Sequence, residues 1–270
     1  MIDLDAYFDR IGYVGERAPT LDTLRALIVR HTETIAFENL DPLLGRPVRL
    51  DAASLQQKLV RDRRGGYCFE QNLLLSHVLQ DLGFEVTGLA ARVLWNAPDD
   101  VAVPRAHMLL RIELAGTPYI ADVGFGGMTL TGALRLEADI EQATPHEPFR
   151  LVAAGTEFTL QTRIAASWKS LYRFDLQPQL LPDYEVTNWY LSNHPGSRFV
   201  NNLVAARPVR DRRFALFNDE FVVHHVGGPS ERRRLTSSND IRAALEEHFL
   251  LRLPAVPELD ARLTRVITGR

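Results

Sequence analysis

One thiol, one histidine and one carboxylate lie where nucleophilic catalysis through sulfur is possible. Cys68 is the only cysteine of 270 residues and stands in "RRGGYCFEQN" (63–72), at the start of a run of helix formers. Unpaired backbone N–H groups and the positive end of the dipole at a helix start favour an anion, so this position favours a thiolate. Gly65 and Gly66 allow a sharp turn and the close approach of another group. On its own, a lone cysteine is more often a buried apolar thiol, so the reading depends on partners. A thiolate nucleophile needs a base, and the base needs an orienting group. Among eight histidines, His107 opens the apolar strand candidate "HMLLRIEL". Asp122 lies fifteen residues on, in "YIADVGFGG", at the end of the next strand candidate. If these strands form a hairpin about Gly116, His107 and Asp122 stand at one end, roughly opposite each other. Cross-strand Cβ separations of about 5 Å suit a carboxylate–imidazole hydrogen bond. A satisfied core histidine and a strand-ending aspartate is the other reading that the spacing leaves open.

Those groups need a helix start and a hairpin to hold them. Residues 20–35 place Leu21, Leu24, Leu27 and Ile28 on one helical stripe. Residues 51–62 open on Asp51, an N-cap type, with Leu55 and Leu59 four apart, and the helix expected from Cys68 to Leu82 stops at Gly83. Beyond Gly83 the pattern predicts strands at 84–95, 106–114 and 118–125, two more in 149–164 about a Gly-Thr turn, and another at 167–175. Their short connections make them antiparallel. The last third mixes strands near 213–226 with a helix near 239–250. The expected class is α+β: a helical first third, an antiparallel β middle and a mixed end.

Composition narrows the function classes. Hydrophobic residues make up 46% and charged residues 24%, with a net charge of −3 and no charge blocks. The cluster "ERRR" (231–234) reads as a solvated turn or strand edge rather than a nucleic-acid footprint. One cysteine excludes an internal disulfide and fits a reducing cytoplasm. The N-terminus has no apolar signal core and no apolar run approaches the roughly 20 residues of a membrane helix. The expectation is a soluble, cytoplasmic protein with neither nucleic-acid nor membrane partners.

The motifs together resemble the arylamine N-acetyltransferase family. "RGGYCFEQN" is similar to its nucleophile motif, "HMLL" to its histidine strand and "ADVGFGG" to its aspartate strand and following loop. "YFDRIGY" (7–13), "IAFENLDPLLG" (35–45) and the stretch 184–208 extend the resemblance over most of the chain. It implies a helical bundle over 1–83 carrying the cysteine, a β-barrel over 84–190 carrying His107 and Asp122, and an α/β lid over 191–270. The first two resemble the papain-like and transglutaminase core. It implies acetyl-coenzyme A as acyl donor, an arylamine, arylhydrazine or N-hydroxyarylamine as acceptor, and no metal. Cys68 is then the nucleophile, His107 the base and Asp122 the orienting carboxylate. Gly124, Gly126, Gly127 and Phe199 fall to the coenzyme side, Phe37 and Phe125 to the acceptor pocket. Arg10, Glu38 and Arg64 match an ion-pair network under the nucleophile loop. Two rivals share the triad: a macrolactam-forming amide synthase fed by a carrier-protein thioester, and a transglutaminase-like thiol hydrolase.

Overall fold

Small polar residues start the early helices. In this computed structural model, which describes residues 2–98 and 101–269, the side chains of Asp3, Thr20 and Asp51 each accept a backbone N–H three residues on. They open α1 (Leu4–Ile11), α2 (Leu21–Thr34) and, past β1 (Phe37–Glu38) and α3 (Leu40–Leu43), α4 (Ala52–Leu55). The last runs on into a π-helical turn, Gln56–Arg61. Helix α5 (Cys68–Asp81) has nearly every side chain buried, so it forms the axis of the helical core rather than a surface layer. The chain leaves it at Gly83, whose φ of 87° suits glycine.

The next strands are β2 (Glu85–Val93), β3 (Arg105–Leu114), β4 (Thr117–Ala121), β5 (Leu134–Arg135), β6 (Phe149–Ala154), β7 (Glu157–Ile164) and β8 (Ser167–Asp175). They form one antiparallel sheet in the order β5-β4-β3-β2-β8-β7-β6. Gln142 exchanges backbone hydrogen bonds with Phe149, while its side chain bonds both the N–H and the C=O of Arg135. These bonds tie the β6 edge back towards β5, and the sheet curls into a nearly closed barrel around Leu89, Leu109, Ile120 and Tyr172. Strand β4 stops at Ala121 rather than at 125. The Asp122 carboxylate accepts the Gly124 N–H at 2.9 Å, a local turn that competes with the ladder.

Helices α6 (Leu181–Asn193) and α7 (Arg198–Asn201) lead to β9 (Val204–Val209), β10 (Arg212–Phe217), β11 (Glu220–His225) and β12 (Ser230–Arg234), then α8 (Ser238–Glu247) and α9 (Glu258–Thr268). The second sheet runs β1-β9-β10-β11-β12, so a strand from the first third forms its edge. Its ERRR strand is exposed, a sheet edge as expected. One face of this sheet packs Ala205, Leu216 and Phe221 against α8 and α9. The opposite face turns Ala206, Ala215 and Phe217 towards the barrel and α5. Helix α6 runs unbroken through residues 190 and 191. Its apolar Val186, Trp189 and Tyr190 face solvent, so it lacks the buried stripe that makes a helix legible in sequence. Among the described residues, no helix is long and apolar enough to cross a membrane.

Candidate active site

Cys68 is the first residue of α5 and is 4% exposed. Close backbone packing puts it there. A Cβ on Gly65 would lie 2.1 Å from the Ala36 carbonyl oxygen, and one on Gly66 would lie 2.7 Å from Glu70 Oε2. Only glycine fits at either position. Gly66 bridges Phe37 of β1, and Gln71 Nε2 donates to the carbonyls of Ile35, Ala36 and Gly66. Gln71 is held in turn by His31, whose Nε2 is 2.7 Å from Gln71 Oε1. Burial pulls His31 down to about 4, so the ring is neutral, donating to Gln71 and accepting the Tyr7 hydroxyl at Nδ1, 2.9 Å away.

Charge surrounds the same loop. Arg64 pairs with Glu38 at 2.7 Å and Asp41 at 3.3 Å, and Lys58 bridges Asp41 at 2.6 Å and Glu70 at 2.7 Å. Glu70 Oε2 accepts the Tyr67 N–H one residue before Cys68. Burial, helped by Asp41 and Glu38, pushes Glu70 up to about 7 against the pull of Lys58. Glu38 and Arg64 thus sit in the expected network, but Arg10 does not. Its Nε donates to the Leu59 carbonyl at 3.1 Å, and among the described residues it makes no ion pair. From α1, Arg10 is taken up by the π-helical turn, whose Leu59 carbonyl accepts its Nε–H.

His107 and Asp122 come from the hairpin. Leu110 faces Ala121, so the turn centres between Ala115 and Gly116 and Asp122 stands a diagonal step from His107, not opposite it. Diagonal neighbours still lie within side-chain reach. His107 Nε2 is 2.7 Å from Asp122 Oδ2. A bulge helps to aim the ring: Ala91 faces His107 while Arg92 faces Arg105, and the unpaired Ala106 turns its carbonyl to within 3.8 Å of Cys68 Sγ. Asp122 is fully buried, and its Oδ1 accepts Asn72 Nδ2 at 3.0 Å as well as the Gly124 N–H. Burial opposes its charge, yet the His107 charge and these hydrogen bonds hold its carboxyl well below the usual range. Burial likewise opposes charge on His107, but the Asp122 carboxylate and, after it, the neighbouring Cys68 raise it to about 10. The imidazole is a cation at neutral pH, braced by Asp122 on one nitrogen with its other nitrogen left for the thiol.

A cavity of about 580 Å³ opens over Cys68 and His107. Gly124, Phe125, Gly126 and Gly127 line one side of it, Phe37 and Phe199 another, and the free face of the C-terminal sheet closes it. Of the residues expected for the triad, the coenzyme and the acceptor, Asp122 alone is not on its surface, standing behind His107. Gly124 has a tighter duty than binding: a Cβ there would lie 2.7 Å from Cys68 Cα. The sequence reading missed Asn72, whose Oδ1 accepts the Val123 N–H while Nδ2 serves Asp122, and Tyr172, whose ring centroid is 5.0 Å from that of His107. Asn72 lies four residues after Cys68, one turn along the same helix face. That offset is the one signal that could have found it.

The N-acetyltransferase family model matches residues 20–257. The arylamine N-acetyltransferase of Mycobacterium tuberculosis is 45% identical over 269 residues, covering 98% of this chain and 95% of that protein. The chain belongs to the arylamine N-acetyltransferase family. The Escherichia coli arylamine N-acetyltransferase is 43% identical over 91% of this chain and 88% of its own. The fold agrees as well. The structure of Mycobacterium marinum arylamine N-acetyltransferase in complex with CoA superposes with a TM-score of 0.94, at 42% identity, over 98% of this chain and 99% of that one. Membership in the arylamine N-acetyltransferase family makes the protein an acyltransferase.

Proposed function

We propose that Cys68, His107 and Asp122 act as nucleophile, proton carrier and orienting carboxylate in moving an acetyl group from acetyl-coenzyme A to the nitrogen of an arylamine, an arylhydrazine or an N-hydroxyarylamine. The observation that carries this reading is the buried line Cys68–His107–Asp122 beneath a cavity of about 580 Å³. A thiolate beside an imidazolium attacks the thioester carbonyl. The carbonyl C–S bond to coenzyme A breaks, the departing sulfur takes the His107 proton, and acetyl-Cys68 remains. Two of the influences that raise His107 come from Cys68 and its charge. Acylation removes both, so the imidazole that has given up its proton stays neutral and is free to take the proton of the amine that attacks next. The tetrahedral carbon collapses, the acetyl–sulfur bond breaks, and His107 keeps the amine proton while Cys68 returns as thiolate. Because Cys68 is the first residue of α5, its backbone N–H has no acceptor within the helix and is free for the oxyanion.

The cavity walls divide the substrates. Phe37, Phe125 and Phe199 offer ring faces near the sulfur, suited to a flat acceptor. Gly126 and Gly127 leave room and backbone donors for the coenzyme arm, with Phe199 beside it and Gly124, whose own N–H is held by Asp122, lending only room. On this reading residues 1–83 present the nucleophile, 84–190 present base and carboxylate, and 191–270 form the lid. A chain with one cysteine and no disulfide suits a reducing cytoplasm. Intact mass spectrometry with acetyl-coenzyme A and no acceptor tests the reading. It expects a gain of one acetyl group on Cys68, discharged by an added arylamine. No gain on an alkylatable thiol overturns it in favour of a carrier-protein thioester or an amide donor.

A further inference from the structure

We propose that Arg213 is a positioning residue for the aromatic acceptor: from the C-terminal sheet it fixes the loop that holds Phe125 beside His107. The inference rests on the acyl-transfer reading above. Arg213 lies on β10 between Pro208 and His224, on the sheet face that carries Ala215 and Phe217, and is 1% exposed. Its Nε and Nη2 reach Glu147 Oε2 at 2.9 and 2.7 Å. Its Nη1 donates to the Thr129 carbonyl at 3.0 Å. Thr129 relays that grip. Its hydroxyl donates to the Asp122 carbonyl at 3.0 Å and accepts the Phe125 N–H at 3.3 Å, and its own N–H bonds the Gly126 carbonyl at 3.0 Å. The lid thus reaches the main chain of Phe125 through one residue.

Phe125 is where this grip meets the acceptor. Its ring stands edge-on to His107, with centroids 5.2 Å apart and an interplanar angle of 81°, and lies 5.3 Å from Tyr172. A ring held in that place defines the plane in which an aryl acceptor can lie against acetyl-Cys68. His146 makes a second strap two residues along the loop. Its Nε2 donates to the Val209 carbonyl at 2.6 Å, and Nδ1 accepts the Thr131 hydroxyl at 3.1 Å. An ion pair whose arginine is buried and whose carboxylate is mostly so is poor economy for stability alone, since apolar residues of like volume often serve as well. The fork of a guanidinium does what they cannot, joining a carboxylate and a loop carbonyl at set angles.

The test replaces both partners so that no lone charge stays buried: Arg213→Met with Glu147→Gln. Near-ultraviolet circular dichroism and melting establish that the double variant is folded. Two acceptors then separate positioning from general damage: an arylamine, which uses the Phe125 ring, and hydrazine itself, which has no ring. The expected result is a KM for the arylamine raised about tenfold with kcat within about twofold, the scale of one lost aromatic contact. The expected kcat/KM for hydrazine stays within about twofold, and iodoacetamide alkylates Cys68 at the wild-type rate. Arg213→Lys should recover part of the arylamine KM. Equal losses for both acceptors, or an unchanged arylamine KM in the folded double variant, overturn the proposal. Discharge of the acetylated wild type by both amines, measured first, separates a failure here from a failure of the acyl-transfer reading.

Discussion

The two walls of the cleft are built by opposite rules. On the Cys68 wall almost every polar side chain is buried and has two or more partners: Gln71 serves three carbonyls, Asn72 serves both Asp122 and Val123, and Arg64 and Lys58 each hold two carboxylates. Arg213 apart, the wall formed by the C-terminal sheet carries the small Ala206 and Ala215 and the exposed Phe217, and its Arg232–Glu220 pair is exposed to solvent. Over-determination keeps reacting atoms within tenths of an ångström, which proton transfer requires. A loosely held wall tolerates change, which suits a surface that only has to accommodate substrates. The difference locates chemistry on one side and selection on the other.

Changes on the Cys68 wall should therefore cost far more than changes on the sheet. The largest expected effect is Asp122→Asn, which keeps the shape but cannot hold a His107 cation. It should lower kcat/KM by about a thousandfold or more while the melting curve stays cooperative. A steady-state loss below about tenfold would break the comparison at its strongest point. Next comes Arg64→Met, which strands Glu38 in the core and leaves Asp41 to Lys58. It should cost about 3–5 kcal/mol in chemical denaturation. A shift under about 1 kcal/mol would mean that the network is dispensable.

A third test uses pH. Glu70 has a folded pKa of about 7, above its ordinary 4.5, so the folded state holds this proton more tightly than the unfolded state. Its contribution is complete below 4.5 and is lost as pH rises through 7, a swing of about 3 kcal/mol. Glu70→Gln should flatten the fall in stability between pH 5 and 8, read from denaturant midpoints of both proteins at each pH. Parallel curves for the two would show that the carboxyl is ionised throughout. The smallest effect belongs to the sheet: Arg232→Ala breaks only an exposed pair and should change stability by less than about 1 kcal/mol. A larger cost would erase the contrast between the walls.

Local signals made the frame legible. Thr20 and Asp51 cap helices because their oxygens bond N–H groups three residues on, and Gly83 ends α5 because φ there is positive. The hairpin followed from two runs with a short turn between them. The segment from α6 to the lid was harder to read, because exposed Trp189 and Tyr190 blur the helical period. Arg10 shows the limit of motif transfer: its residue type matched an ion-pair position, but the path of the π-helical turn took it elsewhere.

By itself the sequence singled out the groups proposed to react. A single thiol behind two glycines, a histidine opening one strand and an aspartate ending the next are matters of residue type and short spacing. Tertiary structure decided how they meet: the diagonal register, the bulge at Ala106, Asn72 and Tyr172 behind the imidazole, and Arg213 reaching the loop from a sheet 84 residues beyond Thr129. Contacts across such separations leave no period in the chain. They exist only because packing brings α5, the barrel and the lid around one small volume, where each buried polar group must find its partner.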